Sequence, residues 1–399
     1  MHIVKHLMPA GSIAVLVLAA TPAMAATVFV TNNGDDVLDP PAGSFRAAVE
    51  AASMDASVTS IRFRGDLGTI ELQDTVIYSG PQSLSIDGRG TEVSSIATGN
   101  FDLFEANGGA DLTFRNLAFS NGGGNGITVE VPGNAEGNLS VSLFDVTVES
   151  NSRYGLLIED QVDDSSASIW LDVLFSRFLG NGLEIGIGDL DGVRVNEGGD
   201  GDIVASVHHS EFNGNGADGF ELDEDDAGDV TLKALHSSFD ENGQNPADTD
   251  DGMDIDEDAD GSIWVQVAHS TFNGHTDDGI GLDETDDGDI HLSLVQVETS
   301  NNGDSGVSAD EGGAGDFEIK LVQVSADGNA EEGLNLSEVG DGDFDGSAVG
   351  SSFSGNGEVG IAIEQLDDGT GVLRLVNVAL DGNPVPYELT GVALTGPGF

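Results

Sequence analysis

Pairs of adjacent aspartate and glutamate residues recur at nearly regular intervals in the second half of the chain. Carboxylate oxygens are the ligands that calcium prefers, and a Gly-containing turn follows most of these pairs. If the intervals correspond to stacked strands, equivalent carboxylates lie roughly 5 Å apart. We therefore predict calcium as the cofactor, held by Asp223, Glu224, Asp256, Glu257, Asp283, Glu284, Asp310 and Glu311.

Such columns of like charge need neutralisation. Each pair of neighbours repels by about 1 kcal/mol even in water. After Arg194 the sequence contains only three basic residues, Lys233, Lys320 and Arg374. External cations are one answer, which makes divalent cations the expected partners. A salt-adapted surface, with diffuse counter-ions and no defined sites, is the other, and the sequence leaves both open.

Composition limits the classes of function. The 399 residues contain 72 Asp and Glu against 12 Lys and Arg, which gives a formal net charge of −60. This charge argues against nucleic acid and anionic membranes as partners. Hydrophobic residues make up 38% of the chain, enough for a sizeable core, and there is no cysteine for disulfide or thiolate chemistry.

Residues 1–25 have the pattern of a secretory signal peptide. Lys5 and His6 precede a short apolar run, and "TPAMA" ends with small residues at a cleavage position. No later segment is apolar enough to span a membrane. We predict an exported protein that is extracellular or periplasmic.

The chain is built from repeats anchored on glycine. The anchors recur about every 27 residues, with one longer step after the second, at Gly192, Gly219, Gly252, Gly279, Gly306, Gly333 and Gly360. A phenylalanine recurs at a fixed distance before several anchors, and apolar residues alternate on either side of the acidic stretch. Units of this length cannot bury their own apolar face, so they must stack as an all-β solenoid.

The N-terminal stretch "TVFVTNNGDDVLDPPAGSFRAAVEAAS" and the repeats resemble those of exported bacterial right-handed parallel β-helix proteins of the pectate-lyase-like type. The resemblance implies a short N-terminal capping helix and first coils in residues 26–118, and regular acidic coils of about 27 residues in 119–399. This architecture hosts lyases, hydrolases, epimerases and adhesins, so it does not decide the activity.

In enzymes of this type the chemistry lies on the outward face of the first strand of each coil. That face would carry Arg194, Glu221, Asp223, Asp254, Asp256, Asp283 and Asp310. Paired carboxylates on this face could serve as acid and base on a glycoside. Arg194, the basic residue on the face, is more simply explained as an ion-pair partner of Glu221 and Asp223. Insertions near Asn181–Asp191 and Asn242–Asp250 mark where a single site would lie.

The regular repeat favours an exported, non-catalytic, cation-loaded binding or surface protein, with an extracellular polysaccharide or the cell envelope as a partner. A calcium-dependent polysaccharide lyase or glycoside hydrolase on the same scaffold is the alternative. A further column of His209, His236, His269, Gln296, Gln323 and Asn377 is predicted to stack inward as a structural ladder.

Overall fold

The computed structural model describes residues 25–96, 99–160, 165–184, 186–247, 249–366 and 368–397, so all but the last residue of the predicted signal peptide lies outside the described residues. Helix α1 spans Phe45–Met54. In chain order the strands are β1 (Ala26–Val30), β2 (Val58–Phe63), β3 (Thr69–Leu72), β4 (Val76–Tyr78), β5 (Leu84–Ser95), β6 (Phe104–Ala106), β7 (Leu112–Ser120), β8 (Ile127–Glu130), β9 (Glu136–Glu149), β10 (Leu156–Asp160), β11 (Ser166–Leu174), β12 (Arg177–Leu179), β13 (Val193–Glu197), β14 (Ile203–His208), β15 (Glu211–Asn213), β16 (Phe220–Glu224), β17 (Val230–Leu235), β18 (Met253–Glu257), β19 (Ile263–Ala268), β20 (Asp283–Glu284), β21 (Ile290–Val295), β22 (Val307–Glu311), β23 (Phe317–Val322), β24 (Leu334–Val339), β25 (Phe344–Val349), β26 (Val359–Leu366), β27 (Gly371–Val376), β28 (Val385–Thr390) and β29 (Val392–Thr395).

Two long parallel sheets run the length of the molecule. In the described residues the first sheet has 12 strands. They are β4, β6, β8, β10, β13, β16, β18, β20, β22, β24, β26 and β28. The remaining strands form the second sheet, which includes the short third strand of several coils. Each coil adds one strand to the first sheet and one or two to the second. Val193 pairs with Phe220, its equivalent in the next coil. The predicted all-β parallel solenoid is confirmed, with coils of about 27 residues.

Helix α1 closes the N-terminal end of the solenoid, as the resemblance implied. The Ser44 side chain caps it by accepting a hydrogen bond from the Ala47 N–H at 3.2 Å. Phe45, Val49 and Ala52 are fully buried. No helix among the described residues is long and apolar enough to cross a membrane.

The core is filled by columns of identical or similar side chains. Stacked rings of Phe178, Phe212, Phe239 and Phe272 have centroids 4.6 to 5.2 Å apart. The anchor glycines form a column beside them. A Cβ added at Gly279 would lie 2.5 Å from the Gly306 carbonyl oxygen, so only glycine lets successive coils approach this closely.

An asparagine ladder closes the turn before the first sheet. Neighbouring amides hydrogen-bond from Nδ2 to Oδ1, for example Asn151 to Asn181 at 2.9 Å and Asn215 to Asn242 at 3.1 Å. His275 takes one position in this ladder, where burial lowers its pKa to about 3. The buried asparagines of this turn thus link successive coils.

The histidine column was predicted to point inward, and this is wrong. His209, His236 and His269 are exposed and have φ between 52° and 55°. This left-handed conformation turns the side chain outward at the bend. The rings still stack, with centroids 4.9 and 4.7 Å apart. They form a ladder on the surface and contribute nothing to the core.

Candidate functional site

The outward face of the first sheet carries two columns of mostly acidic side chains. Strand pairing places Arg194 beside Glu221 and Glu221 beside Asp254. The second column contains Asn196, Asp223, Asp256, Asp283 and Asp310. Asp223 and Asp256 are half-buried, whereas Asp283 and Asp310 are exposed. The outward acidic face predicted from the sequence is therefore present, and its side chains are most buried around β16 and β18.

Two loops meet next to this deep part. The Asn245 side-chain amide, in the loop before β18, lies 3.4 Å from the Gly182 carbonyl oxygen and 3.2 Å from that of Glu184, in the loop before β13. It also donates to the Ile187 carbonyl at 2.5 Å. Asn245 is 2% exposed, so this contact is part of the fold. The two insertions identified in the sequence thus come together in space.

Arg194 is surrounded by carboxylates. Its Nη1 donates to Glu221 Oε2 at 2.7 Å, and its Nη2 donates to Asp223 Oδ2 at 2.5 Å. It also pairs with Asp189 and lies 3.6 Å from Asp191. Burial alone would lower the pKa of Arg194, but these carboxylates, Glu221 foremost, raise it. The guanidinium therefore stays charged, as expected of the ion-pair partner that the sequence predicts.

Glu221 also belongs to a cluster of three carboxylates whose other two members, Asp218 and Asp254, have no basic partner among the described residues. Asp218, Glu221 and Asp254 each place one oxygen within 4.8 Å of the others, and Asp218 and Glu221 are only 3% and 5% exposed. Burial raises the pKa of Asp218 and Glu221 well above the usual range, and that of Asp254 to about 7. Asp256, next to them, has its pKa raised to about 8 by burial and then by Asp254 and Asp223.

A notch lies at Gly281, between the carboxylates of Asp254 and of a further residue, Asp251. Position 281 follows Asp254 in the outer column and is a glycine, so no side chain fills the space beside it. A Cβ added at Gly281 would lie 2.6 Å from Asp251 Oδ2 and 2.7 Å from Asp254 Oδ1. The Asp251 and Asp254 carboxylates thus pack against this glycine, and a side chain at position 281 would force them to move. We call the surface formed by Asp218, Glu221, Asp223, Asp251, Asp254, Asp256 and Gly281 the acidic groove.

Backbone contacts fix the orientation of the carboxylates at the base of the groove. Asp218 Oδ1 accepts a hydrogen bond from the Asp251 N–H at 2.6 Å, and Asp251 Oδ1 accepts one from the Asp278 N–H at 2.7 Å. One oxygen of each carboxylate therefore links successive coils. These contacts hold the Asp218 and Asp251 carboxylates in fixed orientations.

Comparison with known proteins bears on the fold. The sequence matches no protein-family model, and a search of the curated proteins found no match. Among solved structures, the enzymatically active domain of tailspike protein 2 from bacteriophage CBA120 is similar, at 14% identity and a TM-score of 0.51, over 76% of this chain and 44% of that chain. This chain is a right-handed parallel β-helix protein.

Two further β-helix structures resemble the chain over most of its length. The A-module of the Azotobacter vinelandii mannuronan C-5 epimerase AlgE4 has 16% identity and a TM-score of 0.48, over 93% of this chain and all of that chain. Pectate lyase Pel9A has 12% identity and a TM-score of 0.42, over 93% and 79%. The chain spans less than half of the tailspike domain. At these identities the likenesses show the fold alone.

The β-helix separates the predicted Asp-Glu pairs. Successive residues of a strand point to opposite faces, so each aspartate lies on the outside and each glutamate on the inside. The inner column is at most 1% exposed and contains Glu197, Glu224, Glu257, Glu284, Glu311 and Glu338. Each pair therefore contributes one residue to the outward face and one to the interior. That these eight residues bind metal stays a prediction.

The inner glutamates hold the turn between the two sheets. Glu311 Oε1 accepts hydrogen bonds from the N–H groups of Gly313 and Gly315, at 3.2 and 3.1 Å. Glu224 also lies in hydrogen-bonding contact with the glutamates of both neighbouring coils, which requires a proton between them. Burial raises the pKa of Glu224 to about 10 and that of Glu284 to about 9.

Proposed function

We propose that the protein is an exported, non-catalytic β-helix that binds divalent cations, calcium foremost, in the acidic groove, and binds an anionic polysaccharide through them. The observation that carries the proposal is the cluster of Asp218, Glu221 and Asp254 beside the notch at Gly281. One oxygen of each carboxylate lies within 4.8 Å of the others, two of the three side chains are buried, and the cluster lies next to the contact between the two loops.

The electrostatics of the groove support a bound cation. Removing several carboxylates from water without a counter-charge is so costly that such groups either take up protons or bind metal. Arg194 neutralises the Glu221 and Asp223 side of the groove, and no basic residue contacts Asp218, Asp251 or Asp254 among the described residues. Oxygen-only ligands of this kind suit calcium.

The polysaccharide follows from the charge of the groove. A bare polyanionic surface repels a polymer of uronic acids, whereas a calcium ion held at the surface attracts its carboxylates. The resemblance of the N-terminal stretch and the repeats to exported β-helix proteins favours a partner outside the cell. We therefore propose a uronate-containing polysaccharide of the extracellular medium or the cell envelope.

The first experiment measures binding of an oligogalacturonate to the full-length mature protein by calorimetry, in millimolar calcium and in chelator. Calcium should strengthen binding at least about tenfold, and the double variant Asp218→Asn, Asp254→Asn should lose this gain. Asp381→Asn, which removes an exposed charge far from the groove, is the matched control. Equal calcium-dependent gains in the double variant and the parent would refute the proposal.

A second candidate is cleavage of the polysaccharide. It is favoured by the different surroundings of Asp256, whose pKa is about 8, and Asp223, which pairs with Arg194. A carboxyl group that holds its proton, beside one that is paired with an arginine, could serve as acid and base. New reducing ends or unsaturated products from a polysaccharide panel, abolished by Asp256→Asn, would establish it over the non-catalytic proposal.

A further inference from the structure

The few basic residues of the C-terminal half lie together. Lys233, Lys320 and Arg374 are the three basic residues that follow Arg194. Strand pairing places all three in a single outward column of the second sheet, which runs Lys233, Gln266, Ser293, Lys320, Ser347 and Arg374. This column, the basic column, contains no acidic residue.

An aromatic platform lies beside the basic column. Trp264 is 44% exposed on the neighbouring outward column, and the His291 ring stacks on it with centroids 3.7 Å apart and planes inclined by 28°. His291 is oriented by Glu318 and Asp289, whose oxygens lie 3.3 and 3.6 Å from its ring nitrogens. Two stacked rings on an otherwise polar surface form an apolar patch of the kind that marks ligand-binding grooves.

Between platform and basic column lies a cavity of about 400 Å³. Its lining includes Lys233, Lys320, Trp264, Gln266 and His291, and one carboxylate, that of Glu318. Both lysines are exposed, and neither forms an ion pair or a hydrogen bond with any described residue. The two ammonium groups are therefore available to a ligand, and Gln266 and Ser293 offer hydrogen bonds between them.

We propose that this cavity, the tryptophan pocket, is a saccharide site that binds a carboxylate-bearing oligosaccharide without a metal ion. The apolar face of a sugar ring would stack on Trp264. Lys233 and Lys320, three coils apart and thus roughly 14 Å from each other along the axis, would bind carboxylates of successive sugar units. The charge of the basic column, opposite to that of the rest of the molecule, selects an acidic ligand.

The site is independent of the proposed function, because it lies on the second sheet and needs no cation. The two are separated by measuring in chelator, where the acidic groove is unloaded. Wild-type protein should bind an oligogalacturonate in chelator at low salt, and binding should quench the tryptophan fluorescence of the protein. A neutral oligosaccharide of equal length should bind at least about tenfold more weakly, because it cannot form the charge-assisted contacts.

Variants locate the site. Lys233→Gln combined with Lys320→Gln should weaken this binding at least about tenfold, and Trp264→Ala should do the same. Trp170→Ala, which removes the other exposed tryptophan, and Arg374→Gln, at the far end of the basic column, are matched controls and should bind like the parent. Melting curves confirm that these surface variants fold. Undetectable binding in chelator, or equal affinity of the lysine variant and the parent, would overturn the proposal.

Discussion

Without divalent cations and at low salt, the melting temperature should rise as the pH falls from 9 to 6, by at least about 5 °C. The folded-state pKa values of Glu224, Glu284 and Asp256 are about 10, 9 and 8, all above the values of the unfolded chain. The folded protein therefore binds protons more tightly than the unfolded one, and stability increases as pH falls through these values. Below the ordinary pKa of histidine, buried His275 opposes the trend, because the unfolded chain protonates there first.

Differential scanning calorimetry in chelator measures this slope. The double variant Glu224→Gln, Glu284→Gln should reduce the dependence of the melting temperature on pH, because the replaced groups no longer titrate. The glutamine amides can still hydrogen-bond to the neighbouring inner glutamates. Asp381→Asn, at an exposed position, should leave it unchanged. A melting temperature that rises with pH over the same window would show that the buried carboxylates are ionised and neutralised by other charges. That result would contradict the protonation of the inner glutamates.

Gly288→Ala should lower the free energy of unfolding by about 3 kcal/mol or more, or prevent folding. Gly288 lies in the turn between the two sheets, where successive coils are in direct backbone contact. A Cβ there would lie 1.4 Å from the Gly261 carbonyl oxygen and 2.8 Å from Glu284 Oε1. Neither coil can move without breaking its ladder of hydrogen bonds, so the added methyl group cannot be accommodated.

The matched control is Gly65→Ala, since the nearest atoms to a Cβ at Gly65 are 4.0 Å away. It should change stability by less than about 0.5 kcal/mol. Chemical denaturation of both variants gives the comparison. Equal, small effects would mean that the stacked turns are not a tight element of the fold.

The fold was predictable because stacking imposes a period on the sequence. The regular spacing of Gly279 and its equivalents and the buried phenylalanines follow from the close approach of identical coils. The motif around Ser44 and Phe45 likewise indicated the capping helix. Each of these features is local or periodic, so it can be recognised in the sequence.

The site was only partly predictable. Strand alternation places Asp283 outside and Glu284 inside. The sequence does contain a signal for this, because Glu284 lies an even number of residues after the core residues Ile280 and Leu282 and so points to the same face. The histidine side chains point outward because the backbone at His209, His236 and His269 is left-handed. Histidine at these positions does not predict that conformation. The approach of Asn245 to the loop before β13 depends on how two irregular insertions fold, which no repeat encodes.

The central claim is that a defined cation site exists in the acidic groove, and calorimetric titration of calcium into chelated protein tests it most directly. The parent should bind calcium saturably in a background of sodium at the same ionic strength. Gly281→Ala, which removes no charge and only fills the notch between Asp251 and Asp254, should weaken that binding at least about tenfold, whereas Gly65→Ala should not. Loss of the heat of calcium binding in sodium, or identical isotherms for Gly281→Ala and the parent, would contradict the account. A salt-adapted surface with diffuse counter-ions would then explain the carboxylates.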